Sequence, residues 1–134
     1  MALIKWDESF SVNVREIDQQ HQKLVDMINE FYGHVGKDSG QAFRSLLKSL
    51  VEYTQYHFAT EERYFAKFAY PDSKTHTDVH RQFTEKVLDV KNRLESGKIV
   101  LSIEITTFLK DWLTTHIKGS DKAYGKYFND HGLF

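Results

Sequence analysis

The spacing of apolar residues is the feature that most constrains the fold of this chain. In four successive segments they recur at steps of three and four positions, which places them on one face of an α-helix. The first segment starts near Asp18 and ends at the glycines between positions 36 and 40. Its stripe consists of His21, Leu24, Ile28, Phe31 and Val35.

Three further segments show the same period and are separated by residues that interrupt helices. The second runs from about Gln41 to Phe68, and Pro71 behind it cannot continue a helix because it lacks an amide proton. The third spans about 73 to 96, and the fourth begins near Ser102, a suitable N-cap residue. The stripe of the second segment consists of Phe43, Leu47, Leu50, Thr54, His57, Glu61, Tyr64 and Phe68. That of the third consists of His76, His80, Phe83, Val87, Val90 and Leu94. That of the fourth consists of Ile105, Phe108 or Leu109, Trp112 and His116.

Four helices joined by short loops predict an all-α fold, an antiparallel up-down four-helix bundle. No segment alternates with period two, so little or no sheet is expected. The 134 residues suit a single domain over 1–134. An extended N-terminal arm is expected to pack through Trp6, Phe10, Val12, Val14 and Ile17. A short C-terminal helical tail after Gly119 contains Asp121, Tyr124 and Phe128.

Composition excludes several classes of function. Lys and Arg total 18 against 19 for Asp and Glu, and this balance gives no basis for binding nucleic acid or anionic lipid. No apolar run reaches the roughly 20 residues of a membrane span, and no secretory signal is visible, so a cytoplasmic location is expected. The chain has no cysteine, which excludes disulfides, thiolate metal sites and cysteine nucleophiles.

Histidine occurs seven times, and five of these residues lie on the predicted stripes. A single histidine on an apolar face is more often a hydrogen-bonded core residue than a metal ligand. Five buried imidazoles and a carboxylate, however, would each need hydrogen-bond partners or cost about 1–3 kcal/mol. The stripes offer few such partners, whereas a metal centre accepts a lone pair from every imidazole. The pattern therefore favours a metal centre built by His21, His57, Glu61, His76, His80 and His116.

The remaining two histidines lie off the stripes. His34 is about 220° around the first helix from His21, and its four-residue spacing to Asp38 is interpreted as a chance match. His131 lies among the last residues of the chain. Both histidines are expected on the surface.

The ligand set indicates which metals fit. Two pairs, His57 with Glu61 and His76 with His80, are four residues apart, so each pair projects from one helix face. Five nitrogens and a carboxylate are too many ligands for one tetrahedral zinc and too nitrogen-rich for magnesium or calcium. They suit iron, with manganese, copper or zinc as the other possibilities.

A second carboxylate would help to neutralise two cations. Asp121 lies five residues after His116, about 140° off the stripe in a regular helix. It points inward only if the helix turns or unwinds near Gly119. The spacing alone leaves both possibilities open.

The order of these residues along the chain resembles the hemerythrin family in its single-domain bacterial form. The opening Trp6-Asp7, the segments Ser11–Val14 and Ile17–His21, and the later segment Trp112–Ile117 are also similar to that family. The resemblance covers nearly the whole chain. It matches the seven ligand positions of the family at His21, His57, Glu61, His76, His80, His116 and Asp121.

The resemblance implies a cofactor of two iron ions, Fe²⁺ or Fe³⁺, with dioxygen as ligand. One iron would have three terminal ligands, His76, His80 and His116. The other would have two, His21 and His57. Glu61, Asp121 and an oxo or hydroxo group would bridge both, which leaves one position on the second iron for O₂. Four residues resemble the apolar oxygen pocket of the family: Phe58, Trp112, Leu113 and Ile117.

A carrier, store or local supplier of oxygen is thus the first expectation, a binding protein rather than an enzyme. Imidazole ligands donate less negative charge than the carboxylates of ferritin-like di-iron enzymes, and no further acid near the site can be read from the sequence. The alternatives are a di-iron peroxidase or scavenger of nitric oxide or peroxide, a sensor module acting through a partner, and a metal-free bundle. A transient oxygen-consuming partner protein is compatible with the first expectation.

Overall fold

A computed structural model describes residues 3–34, 40–95 and 102–134 of the chain. Its long helices are α1 (Arg15–Gly33), α2 (Gly40–Phe68), α3 (Ser73–Glu95) and α4 (Ser102–His116). A π-helical turn over Ile117–Asp121 connects α4 to the shorter α5 (Lys122–Asp130). Helix α1 packs against α2 and α4, and α2 packs against α3. The described residues form no strand, so the predicted all-α four-helix bundle is confirmed.

The predicted helix boundaries agree with the structure except in α1, which ends at Gly33, before Val35 and the predicted end at the glycines between positions 36 and 40. Helix α2 ends and α3 begins on either side of Pro71, as predicted. Helix α1 begins at Arg15, three residues before the predicted start, so Ile17 lies in the helix and not in the arm. The turns predicted over residues 36–39 and 96–98 lie outside the described residues.

The N-terminal arm is held against the first turn of α1 and against α5. The Asp18 carboxylate accepts hydrogen bonds from the backbone N–H of Val12 at 2.8 Å and from the hydroxyl of Ser11 at 2.6 Å. The arm is not extended throughout, because Glu8–Phe10 forms a 3₁₀ turn. A Cβ at Gly125 would lie 2.4 Å from the carbonyl oxygen of Val12, so only glycine lets the arm lie this close to α5.

The core changes character along the bundle. One half, here called the apolar half, buries Leu24, Ile28, Phe31, Leu47, Leu50, Val51, Val87, Val90, Ile105 and Leu109. Because the helices run antiparallel, the beginnings of α1 and α3 lie beside the ends of α2 and α4. This second half, here called the site half, buries His21, His57, Glu61, Phe65, His76, His80, His116, Asp121, Tyr124 and Phe128.

Among residues 3–34, 40–95 and 102–134, no helix is both long enough and apolar enough to cross a membrane.

Candidate metal centre

Five imidazoles and two carboxylates converge in the site half of the bundle. None has more than 5% of its surface exposed. Their ligand atoms form two groups that share both carboxylates, and within each group these atoms all lie within 4.8 Å of one another. One group contains Glu61, His76, His80, His116 and Asp121. The other contains His21, His57, Glu61 and Asp121.

Asp121 reaches the site because α4 widens into the π-helical turn. An i→i+5 hydrogen-bond pattern brings a residue above the one five positions before it, so Asp121 returns to the face of His116. Its Oδ1 lies 3.0 Å from His76 Nε2 and 3.1 Å from His116 Nε2. Its Oδ2 lies 3.1 Å from His21 Nε2. Of the two possibilities that the spacing left open, the structure has the carboxylate pointing inward.

Glu61 divides its two oxygens in the same way. Its Oε1 lies 3.0 Å from His80 Nε2, whereas its Oε2 lies 3.5 Å from His57 Nε2 and 3.7 Å from His21 Nε2. The phenolic hydroxyl of Tyr124 donates a hydrogen bond to Oε2. A carboxylate that turns one oxygen to each group has the arrangement needed to bridge two cations.

The close approaches between these atoms are not hydrogen bonds. Five ligand atoms are buried without a hydrogen-bond partner in the described part of the chain, although several N···O distances are only 3.0–3.1 Å. These atoms are His21 Nε2, His76 Nε2, Glu61 Oε1, and Asp121 Oδ1 and Oδ2. Each buried polar atom without a hydrogen-bond partner costs about 1–3 kcal/mol of folding free energy. Deprotonated ligands around a common cation remove that cost, so the donor set fits a metal centre.

Burial and charge act in opposite directions on the pKa values of the site. Burial alone would raise the pKa of Glu61, but the neighbouring histidines hold it well below its ordinary value. Burial and the charge of Glu61 likewise oppose ionisation of Asp121, whose pKa the histidines nevertheless lower. Burial lowers the pKa of His57 and favours the neutral imidazole that binds metals. Burial also acts to lower the pKa of His21 and His80, yet the adjoining carboxylates raise both to about 9.

Three residues that the sequence analysis did not assign contact the ligands from outside. His57 Nδ1 donates to Gln20 Oε1 at 2.7 Å, and His80 Nδ1 donates to Glu62 Oε2 at 3.0 Å. Tyr124 is the third, and burial together with the two carboxylate charges raises its pKa well above the ordinary value, so it keeps its proton. Glu62 is a further acid at the site that could not be read from the sequence. The only signal in the sequence was that Gln20 and Glu62 each adjoin a predicted ligand.

The residues predicted to line an oxygen pocket lie beside the ligands. The Phe58 ring stacks on His80 at 3.7 Å between centroids, with 4° between the planes. Trp112 stacks on His116 at 4.4 Å and 17°, and its indole is 6.0 Å from the Phe58 ring. Trp112 is half-buried and lines a surface cavity of about 490 Å³. The two aliphatic members of the set are buried: Leu113 and Ile117.

The two histidines predicted to lie away from the site do so. His34 is partly exposed at the C-terminal end of α1. His131 is exposed behind α5, where its ring stacks on Tyr127 at 4.2 Å. Neither belongs to the two ligand groups.

The fold and the buried ligand set define a helical-bundle metal-binding protein. The family model described as "Hemerythrin HHE cation binding domain" matches residues 12–128, and the chain belongs to the hemerythrin family. It is 35% identical over 133 residues to the bacteriohemerythrin of Stenotrophomonas maltophilia, covering 98% of this chain and 85% of that protein. It is 38% identical over 119 residues to the hemerythrin-like protein of Naegleria gruberi, covering 89% and 88%. A crystal structure of wild-type hemerythrin is similar with a TM-score of 0.90 at 29% identity, covering 93% of this chain and 97% of that one.

Proposed function

We propose that this protein binds dioxygen reversibly at two iron ions and carries, stores or locally supplies it. The observation that carries the proposal is the pair of ligand groups that share Glu61 and Asp121, with one oxygen of each carboxylate turned to each group. Five imidazoles and two carboxylates without sulfur suit iron. The family to which the chain belongs supports the same assignment.

The seven ligands would hold the two ions unequally. His76, His80 and His116 would hold one ion, and His21 and His57 the other, while Glu61 and Asp121 would be shared. The ion with two imidazoles therefore has the less complete set of protein ligands. When bound, the iron pair supplies the electrons that dioxygen takes up and returns on release.

The other residues of the site exclude water and fix the ligands. Phe58 and Trp112 cover ligand rings by stacking, and Trp112 lines the surface cavity that also reaches His116. Leu113 and Ile117 add buried aliphatic surface. A dry site limits the access of water and protons, which favours reversible binding over irreversible oxidation. Tyr124 keeps its proton and holds the orientation of Glu61 through its hydrogen bond.

The test is iron analysis combined with absorption spectra of the reduced, anaerobic protein before and after oxygen. We expect two iron ions per chain and a colour change that reverses over repeated cycles of oxygen and vacuum. Oxidation at the first exposure without recovery would contradict the proposal. Sustained turnover with peroxide or nitric oxide would assign the chain to the scavenging enzymes instead.

A further inference from the structure

Two successive carboxylates of α2 contact the two ring nitrogens of one imidazole. Glu61 Oε1 lies 3.0 Å from His80 Nε2, and Glu62 Oε2 lies 3.0 Å from His80 Nδ1. Neighbouring residues on a helix point about 100° apart, so the ring from α3 lies in the angle between the two side chains. Phe58 stacks flat on the ring face. This imidazole therefore has a carboxylate beside each nitrogen and an aromatic ring stacked on one face, and its hydrogen bond to Glu62 fixes its orientation.

His57, which belongs to the other ligand group, has a different outer partner. Its Nδ1 donates to the amide oxygen of Gln20, a neutral residue that is only 6% exposed. Gln20 in turn donates to Thr60 Oγ1 at 3.3 Å. Glu62 differs from Gln20 in two respects, because it carries a charge and because 37% of its side chain is exposed.

We infer that Glu62 is a positioning residue that acts on the metal pair through His80 and stabilises its oxidised form. A carboxylate on the far nitrogen of an imidazole ligand fixes the tautomer and raises the basicity of the ligating nitrogen. A more basic nitrogen favours the metal ion with the higher charge. The inference rests on the proposed binding of iron. It adds that the two ligand groups differ electronically, because His80 has a charged outer partner and His57 a neutral one.

The position of Glu62 lets the charge act on the site without being buried in it. The side chain lines a surface cavity of about 260 Å³ between α2 and α3, together with Arg81 and Thr84. A fully buried carboxylate would lose most of its hydration, which is costly unless other groups replace it. Glu62 stays hydrated on its exposed side. On its other side it accepts the hydrogen bond from His80 Nδ1, through which its charge acts on the ligand.

The redox step concerned is the exchange of one electron per iron ion. On oxidation a ferrous ion gives one electron to a soluble mediator, and on reduction the ferric ion takes one back. No bond between Glu62 and the metal forms or breaks, and the shared proton stays on His80 Nδ1.

The test compares reduction potentials of the iron-loaded protein, measured by anaerobic titration with mediators and followed by absorption. In Glu62→Gln an acceptor oxygen remains for His80 while the charge is removed. We expect this variant to favour the reduced form about tenfold, a shift of about +59 mV per electron, with unchanged iron content. Glu85→Gln removes an exposed charge from α3 and is the matched control, expected to leave the potential unchanged.

Two further variants keep the inference falsifiable. Glu62→Ala removes both charge and hydrogen bond, and we expect a shift in the same direction as Glu62→Gln. Gln20→Glu places a carboxylate on His57, and we expect the potential to fall. Equal potentials in the parent and Glu62→Gln overturn the inference, as does an equal shift in the Glu85 control.

Competition with a chelator gives a readout that involves neither oxygen nor the potential. We expect Glu62→Gln to lose iron about tenfold more readily than the parent, since partners of metal-ligating histidines contribute to affinity on this scale. No difference in retention between the two proteins counts against the positioning role. A parent that holds two irons and titrates normally but does not bind oxygen contradicts the proposed function alone.

Discussion

The two halves of the bundle bury different kinds of side chain. In the apolar half, burial of an aliphatic or aromatic side chain contributes about 1.5–3 kcal/mol and needs no specific partner. In the site half, ionised Glu61 and Asp121 are removed from water and stabilise the fold only if charged partners balance them. The apolar half therefore stabilises the fold by itself, whereas the stability of the site half depends on what its ligands bind.

Aromatic rings pack closely around several of the ligands in the site half. Phe65 contacts His76 edge-on at 5.0 Å and Tyr124 at 5.4 Å between ring centroids. Phe128 lies 4.9 Å from Tyr124 and 5.9 Å from Phe65. Rings have few rotatable bonds, so they hold neighbouring imidazoles in position where hydrogen bonds are scarce. Packing of aromatic rings can therefore preorganise a polar site as well as an apolar core.

The largest expected effect is the removal of iron by a chelator. We expect the free energy of unfolding to fall by about 4 kcal/mol relative to protein with metal about a thousandfold above its Kd. This corresponds to roughly 15 °C in Tm. Calorimetry measures the loss, and amide hydrogen exchange should locate it at residues 57–65 and 116–124 more than at 24–31 and 47–51. Equal Tm with and without iron would show that the stability of the site half does not depend on bound metal.

The substitution Leu47→Ala tests the apolar half. Leu47 is fully buried, and its truncation leaves a cavity that should cost about 3 kcal/mol of unfolding free energy. Urea unfolding of the iron-loaded protein measures this cost. Iron content should stay at two per chain, because no ligand contacts are removed. If iron were lost as well, the two halves would not be independent.

The substitution Glu61→Ala tests the shared carboxylate of the site half. We expect iron content to fall from two per chain to one or fewer, because Glu61 turns one oxygen to each ligand group. His80→Ala should lower the content too. The matched controls His34→Ala and His131→Ala should retain both ions when measured by elemental analysis. Iron loss in the His34 variant would contradict the helical phase assigned to α1.

The smallest effect on iron binding is expected for Leu113→Asn, which alters the cover of the site without removing a ligand. Leu113 is buried three residues before His116, and an amide there should admit water. We expect full iron content and faster spontaneous oxidation of the oxygenated protein, because water delivers protons to the site. The measurement is the oxidation rate beside the parent at one pH. An unchanged or slower rate would leave Leu113 as a packing residue only.

Much of this organisation follows from helical periodicity, which the sequence displays directly. Six of the predicted ligands lie on the apolar stripes because ligands and core residues occupy the same inner faces of the helices. The predicted break at Pro71 follows from local chemistry alone, since proline cannot donate the next helical hydrogen bond.

Other parts depend on contacts that a single helix does not encode. The inward position of Asp121 requires a π-helical turn, which no spacing rule for a regular helix predicts. Gln20, Glu62 and Tyr124 each reach a ligand on another element, so only the packing of helices relates them to the site. The early start of α1 likewise depends on Asp18 binding the arm from a distance of several residues.

The π-helical turn also shifts the phase of everything that follows it. In an uninterrupted helix, Tyr124 and Phe128 would point about 80° and 120° away from His116, since each residue adds about 100°. The wider turn uses one residue more, so the two aromatics behave as if they were seven and eleven positions away, within about 20° of His116. A regular α-helix through the same residues would therefore rotate α5 and turn Tyr124 and Phe128 out of the core, whereas deleting one residue between 117 and 121 would let a regular helix keep both on the face of His116. The insertion of one residue into the helical register is what lets a polar ligand and the aromatic ring beneath it share one face.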